Sequence, residues 1–199
     1  ELVAFGEDGS SGAAALVTGT SLLMQQAYFD LNDTLPANAL IKSILINSAD
    51  DLGIKEVDYS NGFGSLNAKN AIKTIYTGSY FSGTMTNGGS KIFTIKVPEG
   101  IKRVKATLVW NDPPAIPNAT KALINDLDLE LVNILTGEKW QPWVLNSYPE
   151  SDSLRMPAKR KKDSLNNVEQ ISLDNPAAGE YQLQISGFNV STSQEFFLS

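Results

Sequence analysis

The 199-residue chain has no histidine and no cysteine, and it contains no apolar run of the length a membrane span needs. Without cysteine there are no disulfides and no thiol chemistry. Without histidine, any serine hydrolysis built on a Ser–His pair must draw its base from elsewhere, because no other side chain has an unperturbed pKa so near neutrality. A spanning helix takes about 20 consecutive apolar residues, which excludes that class. Charge is sparse at 19%, with a net charge of −6 that argues against a nucleic-acid partner. The one basic cluster, Lys159-Arg160-Lys161-Lys162, reads as a solvated loop. Against these absences, 42% hydrophobic residues are ample for one large or two small packed domains. Glu1-Leu2-Val3-Ala4-Phe5 reads as a strand and carries no signal-peptide pattern.

The densest signal is the run Gly9-Ser10-Ser11-Gly12-Ala13-Ala14-Ala15-Leu16-Val17-Thr18-Gly19, followed by no charge until Asp30. Ser10 suits an N-cap, whose hydroxyl accepts from the orphan N–H groups of a first helical turn. Ser11 then stands at the helix mouth, where the partial positive charge favours a developing anion. The helix is expected to reach about Ala27. Its apolar residues fall on no single stripe, which predicts a helix buried in the middle of a domain. A second helix carries Leu40, Ile44, Leu45 and Ala49 at helical spacing, with Thr34 as cap and Pro36 in its first turn. A glycine-rich turn, Gly62-Phe63-Gly64-Ser65-Leu66-Asn67-Ala68, leads into a third helix ending near Ile75.

The order of these pieces resembles the end of the protease domain in the subtilisin-like serine proteases. Gly9 and Ser11 match the family's invariant glycine and nucleophile, Ala13 its alanine, and Val17 and Gly19 the later step of the same helix. Ser10 stands where the family usually has threonine, and Ala15 where it usually has proline. Asn47-Ser48-Ala49-Asp50-Asp51-Leu52-Gly53 and the glycine turn resemble the family's next two segments. The resemblance implies a serine endopeptidase with Ser11 as nucleophile and a peptide or protein substrate. The family's Asp, His and oxyanion amide lie upstream of the serine, and only ten residues precede Ser11. The chain is therefore expected to be the C-terminal part of such an enzyme, inactive alone, and to associate with the missing N-terminal protease portion or with itself.

From about Ser79 the periodicity changes to two. Strands are expected at 81–85, 91–97, 104–110, 126–134, 139–145, 167–173, 180–186 and 194–198, with turns at Asn87-Gly88-Gly89, Pro98-Glu99-Gly100, Thr136-Gly137-Glu138 and Asn175–Gly179. Many short strands without intervening helices predict an antiparallel sandwich or jelly roll. Within it, Asn125-Asp126-Leu127-Asp128-Leu129 places two carboxylates on one strand face. They repel unless something positive lies between them, and such oxygen-rich sets suit Ca²⁺. Asn166-Asn167-Val168-Glu169 could add oxygens from a neighbouring strand, whereas an acidic face turned to solvent fits the same residues. Together with Trp110-Asn111-Asp112-Pro113-Pro114, these runs resemble the calcium-carrying jelly-roll domain of certain alkaline bacterial subtilases, related in shape to the P-domain of kexin-like enzymes.

The fold expectation is thus α+β. Residues 1–76 are read as the helical end of a subtilisin-like α/β domain and residues 79–199 as a β-sandwich. Ser11 is the expected catalytic residue, and Asn125, Asp126, Asp128 and Glu169 are the expected structural Ca²⁺ ligands. The family resemblance implies a secreted, cell-surface or periplasmic bacterial protein. Two other readings remain open: a degenerate, non-enzymatic binding scaffold, and an unrelated adhesin in which Ser11 merely begins a helix.

Overall fold

The computed structural model describes residues 1–199 and divides them into two compact units. One comprises Glu1–Tyr80, Leu145–Ala158 and Ser199; the other comprises Phe81–Val144 and Lys159–Leu198. The sheets are antiparallel and the helices lie outside them, which is an α+β chain. No helix is long and apolar enough to cross a membrane.

The first unit holds α1 (Ser10–Asn32), α2 (Asn38–Ser48), α3 (Ala68–Tyr76) and α4 (Ser151–Leu154). Helix α1 runs a full turn past its expected end, to Asp33, whose left-handed conformation lets its N–H close on the Phe29 carbonyl. Its burial departs from expectation. Only Thr20, Met24 and Ala27 of its 23 residues are buried, while Leu22 and Leu23 are about 60% exposed. Helices α2 and α3 pack on one stripe of it, Gly6 presses on its first turn and Tyr80 meets Tyr28, while Leu22 and Leu23 stay uncovered. The helix buried on all sides is instead α2, with eight of eleven residues buried. Its N-cap is Ala37 rather than Thr34, since Pro36 lies ahead of the first turn. Helix α3 has a side-chain cap, Asn67, whose Oδ1 accepts from the Asn70 N–H at 2.9 Å.

The glycine turn before α3 is a junction of three backbone segments. Val3 donates to the Gly64 carbonyl, Leu66 donates to Val3, and Ser65 exchanges both bonds with Asp50 at 2.7 and 2.9 Å. Gly64 has φ +114°, and a Cβ there would lie 2.2 Å from the Asp50 carbonyl oxygen. That position requires glycine for both conformation and space.

In the second unit, β1 (Phe81–Met85), β2 (Ser90–Val97), β3 (Arg103–Trp110), β4 (Asp126–Asn133), β5 (Lys139–Trp140), β6 (Trp143–Val144), β7 (Lys159–Arg160), β8 (Val168–Asp174), β9 (Gly179–Asn189) and β10 (Gln194–Leu198) form three sheets. Two are four-stranded, in the orders β1-β10-β3-β8 and β2-β9-β4-β5, and β6 pairs with β7. Inward residues of both four-stranded sheets, among them Trp110, Leu127, Leu129, Tyr181 and Phe196, make one apolar core. Burying each contributes roughly 1.5–3 kcal/mol. Phe81 stacks on Phe93 at 4.6 Å between ring centroids.

The strand expected at 139–145 is interrupted at Gln141-Pro142, where a proline removes a ladder donor. The basic cluster is only partly a solvated loop. Arg160 lies over the Trp143 ring at 4.1 Å and donates to the Gln141 and Ser172 carbonyls, while Lys162 is drawn onto β4. A register shift at Asp126/Leu127 leaves Phe188 of β9 without a partner on β4, and its ring is 71% exposed.

Candidate functional site

Two places in the chain hold the residues the sequence singles out. The first is the start of α1. Gly9 is the N-cap, with φ +64° and ψ −138°, and its carbonyl accepts the Ala13 N–H at 3.1 Å. Ser10 is therefore the first helical residue rather than the cap, and no side chain caps this helix. The N–H groups of the first turn stay unbonded, and their partial positive charge is uncompensated because the turn holds no acidic residue. Ser11 is exposed, and its hydroxyl has no hydrogen-bond partner within the chain. The preceding segment presses closely on this turn, since a Cβ at Gly6 would lie 2.2 Å from the Ala13 nitrogen. The arrangement is a free serine hydroxyl beside unspent backbone donors, with no base in contact.

Beside it runs an apolar groove of about 900 Å³, floored by Ala13 and Val17 of α1 and Ile41 and Leu45 of α2, and walled by Leu2 and Ala4. Lys42 marks one edge, paired with Glu1 at 2.7 Å. The segment Glu1–Ala4 bonds on one side only. Val3 and Glu1 face residues 63–66, while the backbone groups of Leu2 and Ala4 are unpaired.

The second place is the acidic seam between β4 and β8. Leu127, Leu129 and Leu131 point into the core, and Asp126 and Asp128 share the opposite face, as the alternation predicts. Both carboxylates are buried, and each has its own ammonium: Lys121 Nζ donates to Asp126 Oδ2 at 3.0 Å, and Lys162 Nζ to Asp128 Oδ2 at 2.7 Å. The bond to Asp128 raises the Lys162 pKa, against an opposing pull from burial. Glu169 reaches across from β8, where its Oε2 accepts the Leu129 N–H at 2.6 Å and its Oε1 is buried without a partner. Burial pushes the Glu169 carboxyl well above its ordinary 4.5. The Leu129 N–H pulls it down, and Asp128, Asp163 and Asp126 push it further up.

Asn125 serves a different purpose. Its Nδ2 donates to Gln194 Oε1 at 2.7 Å, and its Oδ1 accepts from the N–H and hydroxyl of Ser191. The Asp112 carboxylate accepts the N–H groups of Ile124 and Asn125, closing the proline-stiffened loop after β3. Of the second oxygen-rich run, Asn166 donates to Asp163 and Asn167 to the Trp110 carbonyl. Asn125, Asp126, Asp128 and Glu169 thus do not converge as one ion cage, and no three Asp or Glu side chains of the chain stand close enough to share a metal. Sequence reasoning missed Lys121, Lys162 and Asp163. The available signal was Asp163 directly following the basic cluster, which could have marked that cluster as charge-paired.

No protein-family model matches the chain. Among curated proteins it is similar to the serine protease/ABC transporter B family protein tagA of Dictyostelium discoideum, 29% identical over 92% of this chain and 11% of that protein. It is also similar to tagB and tagD of the same name and organism, 35% and 32% identical over 48% and 49% of this chain and 5% of each relative. The chain thus spans about a tenth or less of the relatives it matches. A solved structure, the Bacillus licheniformis lipase BlEst2 in its propeptide form, aligns at TM-score 0.34 and 15% identity over 60% of this chain and 20% of its own.

Proposed function

We propose that residues 1–80 supply the nucleophile-bearing end of a serine-protease domain of the subtilisin-like type, with the β-sandwich as its accessory domain. The reaction is peptide-bond hydrolysis. Ser11 Oγ attacks the scissile carbonyl carbon while a general base takes its proton. The amine leaves carrying a proton as the acyl-enzyme forms, and water then releases the acid and restores the serine. The N–H of Ser11, at the positive end of α1, adds to the stabilisation of the developing oxyanion. These 199 residues hold no histidine, so the base and its carboxylate partner come from polypeptide outside them and the chain alone is inactive.

The observation that carries this reading is Ser11 itself, an exposed serine with an unbonded hydroxyl, set two residues after the positive-φ Gly9 on the uncapped first turn of a 23-residue helix. The printed names of the tag relatives point the same way. The same outside polypeptide fills the groove, laying a strand along the unpaired edge of Leu2–Ala4 with its apolar side chains on α1 and α2. A non-enzymatic scaffold is the second reading, favoured by the lack of any base touching Ser11.

Fluorophosphonate labelling of the protein from its source, read on a denaturing gel, decides between them. The protease reading expects a labelled band longer than 199 residues, with the label lost on Ser11→Ala and kept on Ser10→Ala. An unlabelled full-length protein, before and after limited proteolysis to relieve any zymogen, overturns it.

A further inference from the structure

The acidic seam poses a charge problem. Asp126, Asp128, Asp163 and Glu169 are 2%, 9%, 4% and 1% exposed, all in one region of the sandwich. Buried carboxylates are costly unless something positive meets them. A divalent cation is one solution, and it needs several oxygens free to turn toward a common point. Here Glu169 Oε1 is free, but many of the other oxygens are committed. Asn125 is bonded through both ends of its amide, Asp163 accepts from Leu165, from the Asn166 N–H and from the Asn166 side chain, and Glu169 Oε2 is held by the Leu129 N–H. The positive charge is already supplied by lysines whose stems stay in solvent while their heads enter the seam. Lys121 and Lys162 side chains are 40% and 61% exposed, yet their ammonium groups lie 3.0 and 2.7 Å from carboxylates that are 2% and 12% exposed.

We propose that Lys121 and Lys162 are the built-in counter-ions of this seam, neutralising the two buried carboxylates of β4 in the role the sequence suggests for calcium, so that the sandwich keeps its stability without a divalent ion. The two lysines come from different loops: Lys121 ties the loop before β4 to that strand, and Lys162 ties the loop before β8 across to β4. Of the other two carboxyl groups, Glu169 accepts the Leu129 N–H and Asp163 accepts from Leu165 and Asn166.

Thermal unfolding of the whole chain in EDTA and in millimolar Ca²⁺ tests this. The expected midpoints agree within about 1 °C for the unaltered chain. Lys162→Met lowers the midpoint by roughly 5–10 °C, as losing the partner of a buried charge does in a chain of this size. That loss shrinks to within about 1 °C when Lys162→Met is made on an Asp128→Asn background, the signature of a direct pair. An EDTA midpoint several degrees below the Ca²⁺ midpoint in the unaltered chain overturns the proposal. An undiminished Lys162→Met loss on the Asp128→Asn background overturns it as well. Should Lys162→Met fail to fold, the EDTA comparison on the unaltered chain still decides.

Discussion

At the scale of single residues, Ser11 and Glu169 carry opposite physical burdens. Ser11 is exposed and bonded to nothing, so removing its hydroxyl costs the fold nothing that the structure contains. Ser11→Ala is expected to leave denaturant stability within about 0.5 kcal/mol of the parent. On the protease proposal, the same change is expected to lower peptidase activity of the full-length protein at least about a thousandfold, as loss of a nucleophile does. A stability loss of several kcal/mol, or retained activity, contradicts that role. Glu169 is buried and makes stability depend on pH. Its folded pKa is raised well above the ordinary 4.5, so the folded chain keeps a proton that the unfolded chain has released. Its contribution is fully present below about pH 4.5 and is lost as pH rises through the folded value. Glu169→Gln cannot ionise and still offers an oxygen to the Leu129 N–H. Urea midpoints measured from pH 5 to 9 should therefore fall with rising pH in the parent and hold more nearly level in the variant. Two parallel profiles refute this assignment.

At the scale of elements, the helix starts and the glycine turn show which local rules the chain obeys. The expected caps Ser10 and Thr34 do not cap α1 or α2, whereas Asn67, not singled out from the sequence, caps α3. Gly9 takes a backbone conformation that starts α1 one residue earlier, and Pro36 holds Thr34 away from the α2 start. The glycine turn was legible as a turn, yet its function was not. Only the fold brings Asp50 and Val3 to either side of Ser65, where they convert the turn into the centre of a three-segment junction. Gly64→Ala should accordingly destabilise the helical unit by about 2–4 kcal/mol, through both the positive φ and the collision with the Asp50 carbonyl. Chemical denaturation followed by helix ellipticity measures it, and a loss below about 0.5 kcal/mol shows that the junction relaxes. In the sandwich, alternation identified every long strand, because inward leucines and outward polar residues repeat with the pleat. It ran β5 and β6 into one strand and missed the two-residue β7, which is too short to show a period.

At the scale of the whole chain, the unmatched apolar surface of the helical unit is the dominant liability. Leu16, Leu22, Leu23, Phe29 and Leu31 of α1 are all between 44% and 60% exposed, and so many exposed large apolar side chains on one helix favour association with other polypeptide. The isolated chain should self-associate at micromolar concentration. Replacing Leu22 and Leu23 together by Gln should shift sedimentation toward monomer while changing unfolding stability by less than about 1 kcal/mol. A monomeric parent chain removes the argument that this face is covered by other polypeptide.

The sequence by itself determined the division into helices followed by strands, the inward leucine face of β4 and the placement of Ser11 in a first helical turn. Each is a local matter, set by periodicity and by the few residues beside it. Only the tertiary structure decided that α2 rather than α1 is the buried helix, since both are apolar and burial depends on what packs against them. It likewise decided that Asp126 and Asp128 face ammonium groups rather than a shared ion cage, with Asp128 meeting Lys162 from 34 residues away. The charge partner of a buried carboxylate is chosen by which loop the fold returns to it, and no spacing along the chain encodes that choice.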